Sequence, residues 1–257
     1  MQFWRYSAAT DVGLQRNNNE DCYLSSPELG LWVVADGMGG HAAGEVASAI
    51  VAETIKKKVD EGENLSTAIQ LSHREVLHAA ANGHGGQGMG STVVALLTDG
   101  SSYEIAWVGD SRAYLWSPGS LKPFRQLTTD HSYVQMLYQT GAITEAELST
   151  HPEKNIITQC LGSVELESVT VETVEGTWKP NEWIILCSDG LTDAVNDVEI
   201  ENILSSHTCV DKGTNALIEA ALNRGGKDNI TVSVTESPNA YLVFLGSFFK
   251  NLSKFFK

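Results

Sequence analysis

The sequence predicts an α+β protein in which helices and antiparallel strands form separate layers of one sandwich. Two stretches with apolar residues at helical spacing, 44–58 and 65–81, follow one another, and Asn64 and Ser66 are both suitable caps for the second. Short runs rich in Val, Ile, Trp and Tyr, bounded by turn-forming residues, indicate strands elsewhere. These runs are 30–35, 92–98, 102–108, 112–116, 183–188 and 229–235.

Three of the predicted strands are close together in sequence and are separated by turn signals. Residues 98–101 read Thr-Asp-Gly-Ser and residues 109–112 read Gly-Asp-Ser-Arg, and both are typical of hairpin turns. We therefore predict that the strands at 92–98, 102–108 and 112–116 are neighbours in an antiparallel meander. This arrangement is not that of a doubly wound parallel sheet.

Residues 128–155 differ from the strand-rich segments because they are polar and contain only short helical patterns, at 133–139 and 145–148. Gly141 and Pro152 interrupt or end these patterns. We predict an inserted flap between core strands. Such an insert often borders a functional site, although a plain connecting segment would have the same composition.

Length, charge and cysteine content limit the classes of function. The 257 residues, of which 42% are hydrophobic, suffice for one large domain with a substantial core. The net charge of −15 argues against nucleic-acid binding, which needs a basic surface. The four cysteines form no CxxC pair and accompany no histidine cluster, so zinc is not expected. With no apolar signal-peptide segment at the start, we expect reduced thiols and a cytoplasmic location.

The last residues differ sharply in composition from the rest of the chain. We predict a domain at 1–236, followed at 237–257 by a linker and a basic amphipathic tail. The tail carries three lysines and no acid, and its Phe and Leu residues form a separate stripe on a helix. Its apolar run is too short to span a bilayer. Three fates remain open for the tail: lying in a membrane surface, docking on a partner or on its own domain, and forming a disordered end.

Four aspartates each stand at the end of a predicted strand or directly before one: Asp36, Asp110, Asp189 and Asp228. A buried strand that stops at an aspartate places a carboxylate at the rim of a sheet. Four such rims that converge would form a compact site of oxygen ligands, which suits Mg²⁺ or Mn²⁺. The sequence therefore predicts a metal-dependent hydrolase, and the glycines beside the acids favour phosphate chemistry.

Each motif around these aspartates also has an ordinary explanation when it is taken singly. The Asp-Gly pair at 36–37 can be a plain turn, and the segment 16–21 can be a solvated charged loop. Asp189 and Asp193 can be acids of the first turn of a helix. Within the charged loop, however, Arg16 is the residue type that is suited to bidentate phosphate binding.

Taken together and in this order, the motifs resemble those of the metal-dependent type 2C protein serine/threonine phosphatases (the PPM family) in their bacterial form. The matching segments lie within residues 10–235 and read RNNNEDCY, VVADGMGGHAAGE, GMGSTVVALL, VGDSRAYLW, LTTDHS, ILCSDGLTD and GGKDNITV. The resemblance implies a four-layer α-β-β-α sandwich with two central antiparallel sheets and a two-metal Mn²⁺ or Mg²⁺ centre at one end. It also implies hydrolysis of phosphoserine and phosphothreonine by in-line attack of a metal-bridging water.

The resemblance further implies roles for individual residues at the two metals. Asp36 would bridge both ions, and Asp189 and Asp228 would complete the ligands of the first. The carbonyl of Gly37, and Glu20 through water, would hold the second ion.

Other roles that the resemblance implies lie around this centre. Asp110 and Asp193 match the acids of a third, weaker metal site in bacterial members of the family. Arg16 would clamp the substrate phosphate. Asn229 would support its neighbour Asp228 without touching a metal.

One position departs from the pattern of many eukaryotic members, in which a histidine thought to act as general acid directly follows the Asp-Gly pair. This chain has Met38 there, and His41 follows three positions later. His41 is a candidate catalytic acid. The alternatives are a structural role for His41 in the glycine-rich turn and proton donation by metal-bound water.

Two other functions remain open on the same fold. One is a catalytically silent module that binds phosphopeptides, although such a module has no reason to keep the complete set of acids. The other is a hydrolase of small phosphate esters or nucleotides. For the phosphatase, the expected partners are phosphoproteins modified by a Ser/Thr kinase, and we expect a monomer whose only membrane contact is through the tail.

Overall fold

Two antiparallel sheets form the centre of the computed structural model, which describes residues 4–39 and 43–238. The strands in chain order are β1 (Tyr6–Asp11), β2 (Asp21–Ser26), β3 (Leu31–Met38), β4 (Gly90–Ser91), β5 (Val93–Thr98), β6 (Ser102–Val108), β7 (Arg112–Trp116), β8 (Phe124–Gln126), β9 (Glu172–Thr177), β10 (Trp183–Cys187) and β11 (Ile230–Glu236). One sheet has the order β1-β11-β10-β7-β8. The other has the order β2-β3-β5-β6-β9, with β4 paired to β3.

Helices cover the outer faces of both sheets. In chain order they are α1 (Ala43–Asp60), α2 (Leu65–Ala81), α3 (Tyr133–Gln139), α4 (Glu145–Leu148), α5 (Asp189–Thr192), α6 (Asp197–Ser205) and α7 (Val210–Asn223). The helix predicted at 65–81 begins and ends as expected, and Asn64 Oδ1 accepts a hydrogen bond from Thr67 N over 2.8 Å. The helix predicted at 44–58 corresponds to α1, which extends further at both ends.

Three apolar layers hold the elements together. Helices α1 and α2 pack on the β2–β3 sheet, where Ile55 and Val33 belong to one buried cluster. Helices α6 and α7 pack on the β10–β11 sheet, where Leu217 joins Val232. A third cluster lies between the two sheets and contains Ile105 of β6 with residues of β7 and β10. The α+β class and the α-β-β-α order of layers are therefore confirmed.

The predicted meander is wrong at its second turn. β5 and β6 pair as predicted, but β6 next pairs with β9, whereas β7 pairs with β8 and β10 in the other sheet. At Gly109, with φ of 106°, the chain crosses from one sheet to the other. The apolar side chains of both strands face the cluster between the sheets, so β6 and β7 lie across this layer and not side by side. Alternation of polar and apolar residues looks the same in both arrangements.

The segment predicted as a flap lies between β8 and β9 and contains α3 and α4 at the predicted positions. Its base is fixed to the sheets by side chains. Trp107 Nε1 donates to Thr129 O over 2.9 Å, and Arg112 donates to both carboxylate oxygens of Asp130. Tyr133 N donates to Ile156 O over 2.8 Å, which closes the segment on itself.

Two predictions concern residues that lie outside the described ranges. His41 is one of them, and the tail from residue 239 onward is the other. Within residues 4–39 and 43–238, no helix is both long enough and apolar enough to cross a membrane. The division of the chain at 236 stays a prediction.

Candidate metal centre

The predicted acids gather at one end of the sandwich because strands of both sheets begin or end there. Asp36 of β3 stands directly opposite Asp21 of β2 in the antiparallel register. Asp189 begins α5, two residues after β10 ends. The preceding residue, Ser188, donates its backbone N–H to Thr231 O of β11 over 3.1 Å. This bond holds the start of α5 beside the strand that follows Asp228.

Burial and mutual repulsion raise the pKa of Asp36 well above its ordinary value. Loss of hydration is the largest cause, and the charges of Asp21, Asp189, Asp110 and Asp228 add to it in that order. Burial also raises the pKa of Asp189 strongly, and Asp110 and Asp228 are again the next contributors. The four aspartates predicted from the strand ends therefore share one electrostatic site with Asp21.

Asp110 and Asp193 lie on the side of this cluster that faces the flap. The pKa of Asp110 is raised to about 6, mainly by burial and also by the charge of Asp130, while the nearby Arg112 guanidinium opposes the rise. Lys154 of the flap donates a hydrogen bond from Nζ to Asp193 Oδ1 over 2.6 Å. The flap thus contacts the acidic cluster directly through Lys154.

Glu20 lies against two glycines that leave no space for a side chain. Its carbonyl oxygen accepts hydrogen bonds from Gly37 N over 3.1 Å and from Ser48 Oγ over 2.6 Å. A Cβ on Gly44 would stand 2.8 Å from the Glu20 carboxylate carbon and 2.7 Å from the carbonyl carbon of Gly37. Glycine at position 44 therefore allows α1 to approach the backbone at 37 and the Glu20 carboxylate closely.

Glu20 was predicted as a site residue from its motif, but the neighbouring Asp21 was not. Asp21 is 9% exposed, and its Oδ2 accepts a hydrogen bond from Ser188 Oγ over 2.7 Å. Its Oδ1 is buried without a hydrogen-bond partner among the described residues. Burial raises its pKa to about 6, and the neighbouring hydroxyls of Thr231 and Ser188 oppose the rise. The signal was the register with Asp36, which a single sequence does not reveal.

Arg16 and Asn229 connect the loop before β2 to the segment before β11. Arg16 Nη2 donates to Asp228 Oδ2 over 2.7 Å, in an ion pair that is partly open to solvent. Asn229 Oδ1 accepts from Glu20 N over 2.8 Å, and its Nδ2 donates to the carbonyls of Val12 and Asn18, each over 2.9 Å. Asn229 therefore fixes the loop that carries both Arg16 and Glu20.

Two carboxylates of the acidic cluster form ion pairs with basic side chains. Across the described ranges, no three Asp, Glu, His or Cys side chains are already arranged to hold a metal ion. Arg16 binds Asp228 and Lys154 binds Asp193, so two carboxylates face these cations. A divalent ion would have to replace them as the partner of these acids.

A second group of charged residues that the sequence analysis did not identify lies beside the cluster. Arg112 donates from Nε and Nη2 to Asp130, which also accepts from Gln126 Nε2 over 3.1 Å. Arg112 Nη1 donates to Tyr114 OH over 3.2 Å, and this hydroxyl donates to Asp197 Oδ1 over 3.1 Å. The motifs VGDSRAYLW and LTTDHS contain most of these residues, but no spacing rule indicates that they meet.

Comparison with known proteins identifies relatives over nearly the whole chain. The family model described as Protein phosphatase 2C matches residues 15–224. The Serine/threonine phosphatase stp of Listeria monocytogenes serovar 1/2a is 38% identical over 240 residues, which are 88% of this chain and 93% of that protein. The Serine/threonine protein phosphatase PstP of Mycobacterium tuberculosis is 37% identical over 238 residues, 90% of this chain and 45% of that protein.

Solved structures agree with these sequence matches. The crystal structure of the Mycobacterium tuberculosis phosphatase PstP/Ppp superposes with a TM-score of 0.83 and 35% identity, covering 92% of this chain and 99% of that one. The catalytic domain of PstP in complex with 2 manganese ions gives a TM-score of 0.79 and 34% identity, with the same coverage. Together with the acidic cluster at the end of the two sheets, these matches show that the chain belongs to the protein phosphatase 2C family.

Proposed function

We propose that this chain hydrolyses phosphoserine and phosphothreonine in proteins with Mn²⁺ or Mg²⁺ held by the acidic cluster. The observation that carries the proposal is the cluster of mutually repelling acids around Asp36 and Asp189, in which burial raises the pKa of both of these carboxyls. Ionised carboxylates that are buried together lose hydration and repel one another, so they are unfavourable unless a cation accompanies them. Relatives named as serine/threonine phosphatases, and a manganese complex of one of them, support the same activity here.

The residues present fit divalent metal ions of the hard class. All the charged donors in the cluster are carboxylate oxygens, which Mg²⁺ and Mn²⁺ prefer. Asp189 Oδ1 and Asp21 Oδ1 are buried and have no hydrogen-bond partner among the described residues. The close approach of α1 at Gly44 leaves the Glu20 carboxylate beside Gly37. The cluster therefore offers carboxylate oxygens that have no hydrogen-bond partner among the described residues and can bind a metal ion.

The ligand assignment follows the family pattern. Asp36 would be shared by two ions, with Asp189 and Asp228 at one of them and Glu20 and the Gly37 carbonyl at the other. When bound, such ions lower the pKa of a water and stabilise charge on the phosphoryl oxygens.

The remaining residues would bind the substrate and hold the ligands in place. Arg16 lies 2.7 Å from Asp228, so its guanidinium is next to the metal ligands and can reach a phosphate there. Ser188 and Asn229 would be positioning residues, the first for Asp21 and the second for the Arg16–Glu20 loop.

Two finer assignments are part of the proposal. Asp110 and Asp193 would bind a third, weaker ion, and Lys154 would compete with that ion for Asp193. His41 remains a candidate for the acid that protonates the leaving group. Asp110→Asn and Asp193→Asn should raise the Mn²⁺ concentration needed for activity more than they change the affinity for phosphate.

The test is release of phosphate from a phosphothreonine peptide by the purified full chain with Mn²⁺, with Mg²⁺ and with EDTA. The variant Asp36→Asn is assayed in parallel and should lose most of the activity. Metal-dependent release that is absent from the variant supports the proposal. A folded protein that binds the peptide without hydrolysis would instead support the silent module, and a preference for nucleotides would support the small-ester hydrolase.

We further propose that the substrates are proteins phosphorylated by a Ser/Thr kinase, and that the chain acts as a cytoplasmic monomer. The four cysteines are free thiols, which is usual in a reducing compartment. The lysine-rich tail gives the chain a cationic amphipathic segment, and we propose contact with a membrane surface through it. Cell fractionation tests this last point: equal soluble fractions of the full chain and of a 1–240 truncation would contradict it.

A further inference from the structure

We propose that a cleft beside the acidic cluster receives the residues that flank the phosphorylated side chain, and that Asp197 selects a basic residue there. The inference rests on the proposed function, because it assigns a substrate class to the same site.

The cleft leads directly away from the acidic cluster. It has a volume of about 810 Å³, which is within the range of about 300–1,000 Å³ that is usual for ligand sites. Its lining includes Asp110, Asp189 and Asp193 of the acidic cluster. The flap forms one wall, with residues of α3 and the end of α4, and the start of α6 forms the other. A peptide whose phosphate lies at the metal centre would therefore continue between these walls.

The cations that line the cleft are already paired. Arg112 forms an ion pair with Asp130, Lys154 with Asp193, and Arg224 with Glu199. The cleft therefore has no unpaired positive side chain among its described lining residues to attract an acidic segment. Asp110, Asp189 and Asp193 are assigned to metal ions, and Asp130 and Glu199 are paired with arginines, so a basic residue is the one that fits the remaining acid of the lining.

Asp197 lies in the wall that α6 forms, and it has no cationic partner among the described residues. It is exposed at the start of α6, and its Oδ1 accepts a hydrogen bond from Tyr114 OH over 3.1 Å. Tyr114 OH in turn accepts from Arg112, which Asp130 holds in a bidentate pair. This chain of bonds fixes the carboxylate before substrate arrives, which lowers the entropic cost of an ion pair with it.

An apolar side chain stands next to this carboxylate. Val198 lines the same cleft and is 68% exposed. Lys and Arg side chains combine an apolar stem with a charged head. A basic residue of the substrate can therefore place its stem on Val198 and its head on Asp197, whereas Glu or Asp would be repelled.

The experiment measures kcat/KM of the full chain with Mn²⁺ on phosphothreonine peptides of an alanine-based frame. Arginine is placed at each flanking position in turn, and a matching series carries glutamate. We expect arginine at one or more positions on one side of the phosphothreonine to raise kcat/KM about two- to fivefold over alanine, as for a partly exposed ion pair. Asp197→Asn should bring this arginine-to-alanine ratio close to one, and added salt should reduce it in the unmodified protein.

Asp211→Asn is the matched control, because Asp211 is also an exposed acid in the first turn of a helix but does not line the cleft. It should keep the ratio. Asp197→Lys should shift the preference toward the glutamate peptides, and misfolding cannot produce such a reversal. Equal rates on arginine and alanine peptides, or a preference that survives Asp197→Asn, would overturn the cleft assignment alone. Absence of metal-dependent hydrolysis of all peptides and of p-nitrophenyl phosphate would overturn the proposed function and the cleft assignment with it.

Discussion

The stability of Asp21→Asn relative to the wild-type, metal-free protein should rise as pH increases from acid to alkaline values. Burial raises the pKa of Asp21 from 3.8 to about 6. Below pH 3.8 the carboxyl is protonated in both the folded and the unfolded chain. As pH rises, the unfolded chain ionises first, so the free energy of unfolding of the wild-type protein falls until about pH 6. Above that pH the ionised carboxylate destabilises the folded state by about 3 kcal/mol.

The asparagine removes this ionisation but introduces a cost of its own. Asp21 Oδ1 is buried without a partner, so one end of the new amide would also lack one. An unsatisfied buried amide costs about 1–3 kcal/mol at any pH. The difference in stability between variant and wild type should therefore change by about 2 kcal/mol in favour of the variant between pH 4 and pH 8.

The measurement is urea unfolding in EDTA, followed by tryptophan fluorescence, at several pH values in this range. The cost of the amide is the same at each pH. The change with pH in the stability difference between variant and wild type therefore reports only the ionisation of the Asp21 carboxylate. Asp211→Asn, at an exposed acid outside the cluster, serves as the control. A difference for Asp21→Asn that stays flat within about 0.5 kcal/mol would refute the placement of Asp21 as a buried, crowded acid.

Three further substitutions test separate parts of the structure. Gly44→Ala would place a Cβ 2.7 Å from Gly37 and 2.8 Å from Glu20; we expect a loss of about 1–3 kcal/mol in urea unfolding and weaker Mn²⁺ binding by calorimetry. Burial lowers the pKa of His73, so below pH 6.5 the unfolded chain binds the proton more readily and the stability of the wild-type protein should fall. Urea unfolding at pH 5 and pH 7.5 should show a smaller fall for His73→Gln. Arg16→Ala removes an exposed ion pair and should cost under about 1 kcal/mol of stability, yet lower kcat/KM on phosphopeptides at least tenfold; unchanged kinetics would exclude Arg16 as the phosphate clamp.

Local sequence signals predicted the elements whose residues act over short distances. Helix α2 has a strong apolar period and an N-cap at Asn64, so both of its ends could be predicted. The short helices of the flap were predicted for similar reasons. By contrast, β1 and β9 have mixed burial and no clear alternation, and neither was predicted. A partner strand stabilises them, and it lies far away in sequence.

Pairing between distant segments is also what sequence reasoning missed at the site. Four aspartates could be identified because each one lies close to the end or the start of a strand that the sequence predicted. Asp21 could not, because its importance follows from its position opposite Asp36 and from the bond to Ser188, which is 167 residues away. The contacts of Arg112 with Asp130 and of Lys154 with Asp193 likewise join segments that no local pattern connects.

The crowding of acids makes stability depend on the metal. Local rules of folding disfavour several buried carboxylates in one place, and departures of this kind are expected at functional sites. Binding of Mn²⁺ would require ionised ligands and would release protons from carboxyls such as Asp110, whose pKa is raised to about 6. Mn²⁺ should therefore stabilise the protein strongly at pH 8 and weakly at pH 5. It should also stabilise the wild-type protein more than Asp21→Asn, because the variant has already lost part of the repulsion that the metal relieves.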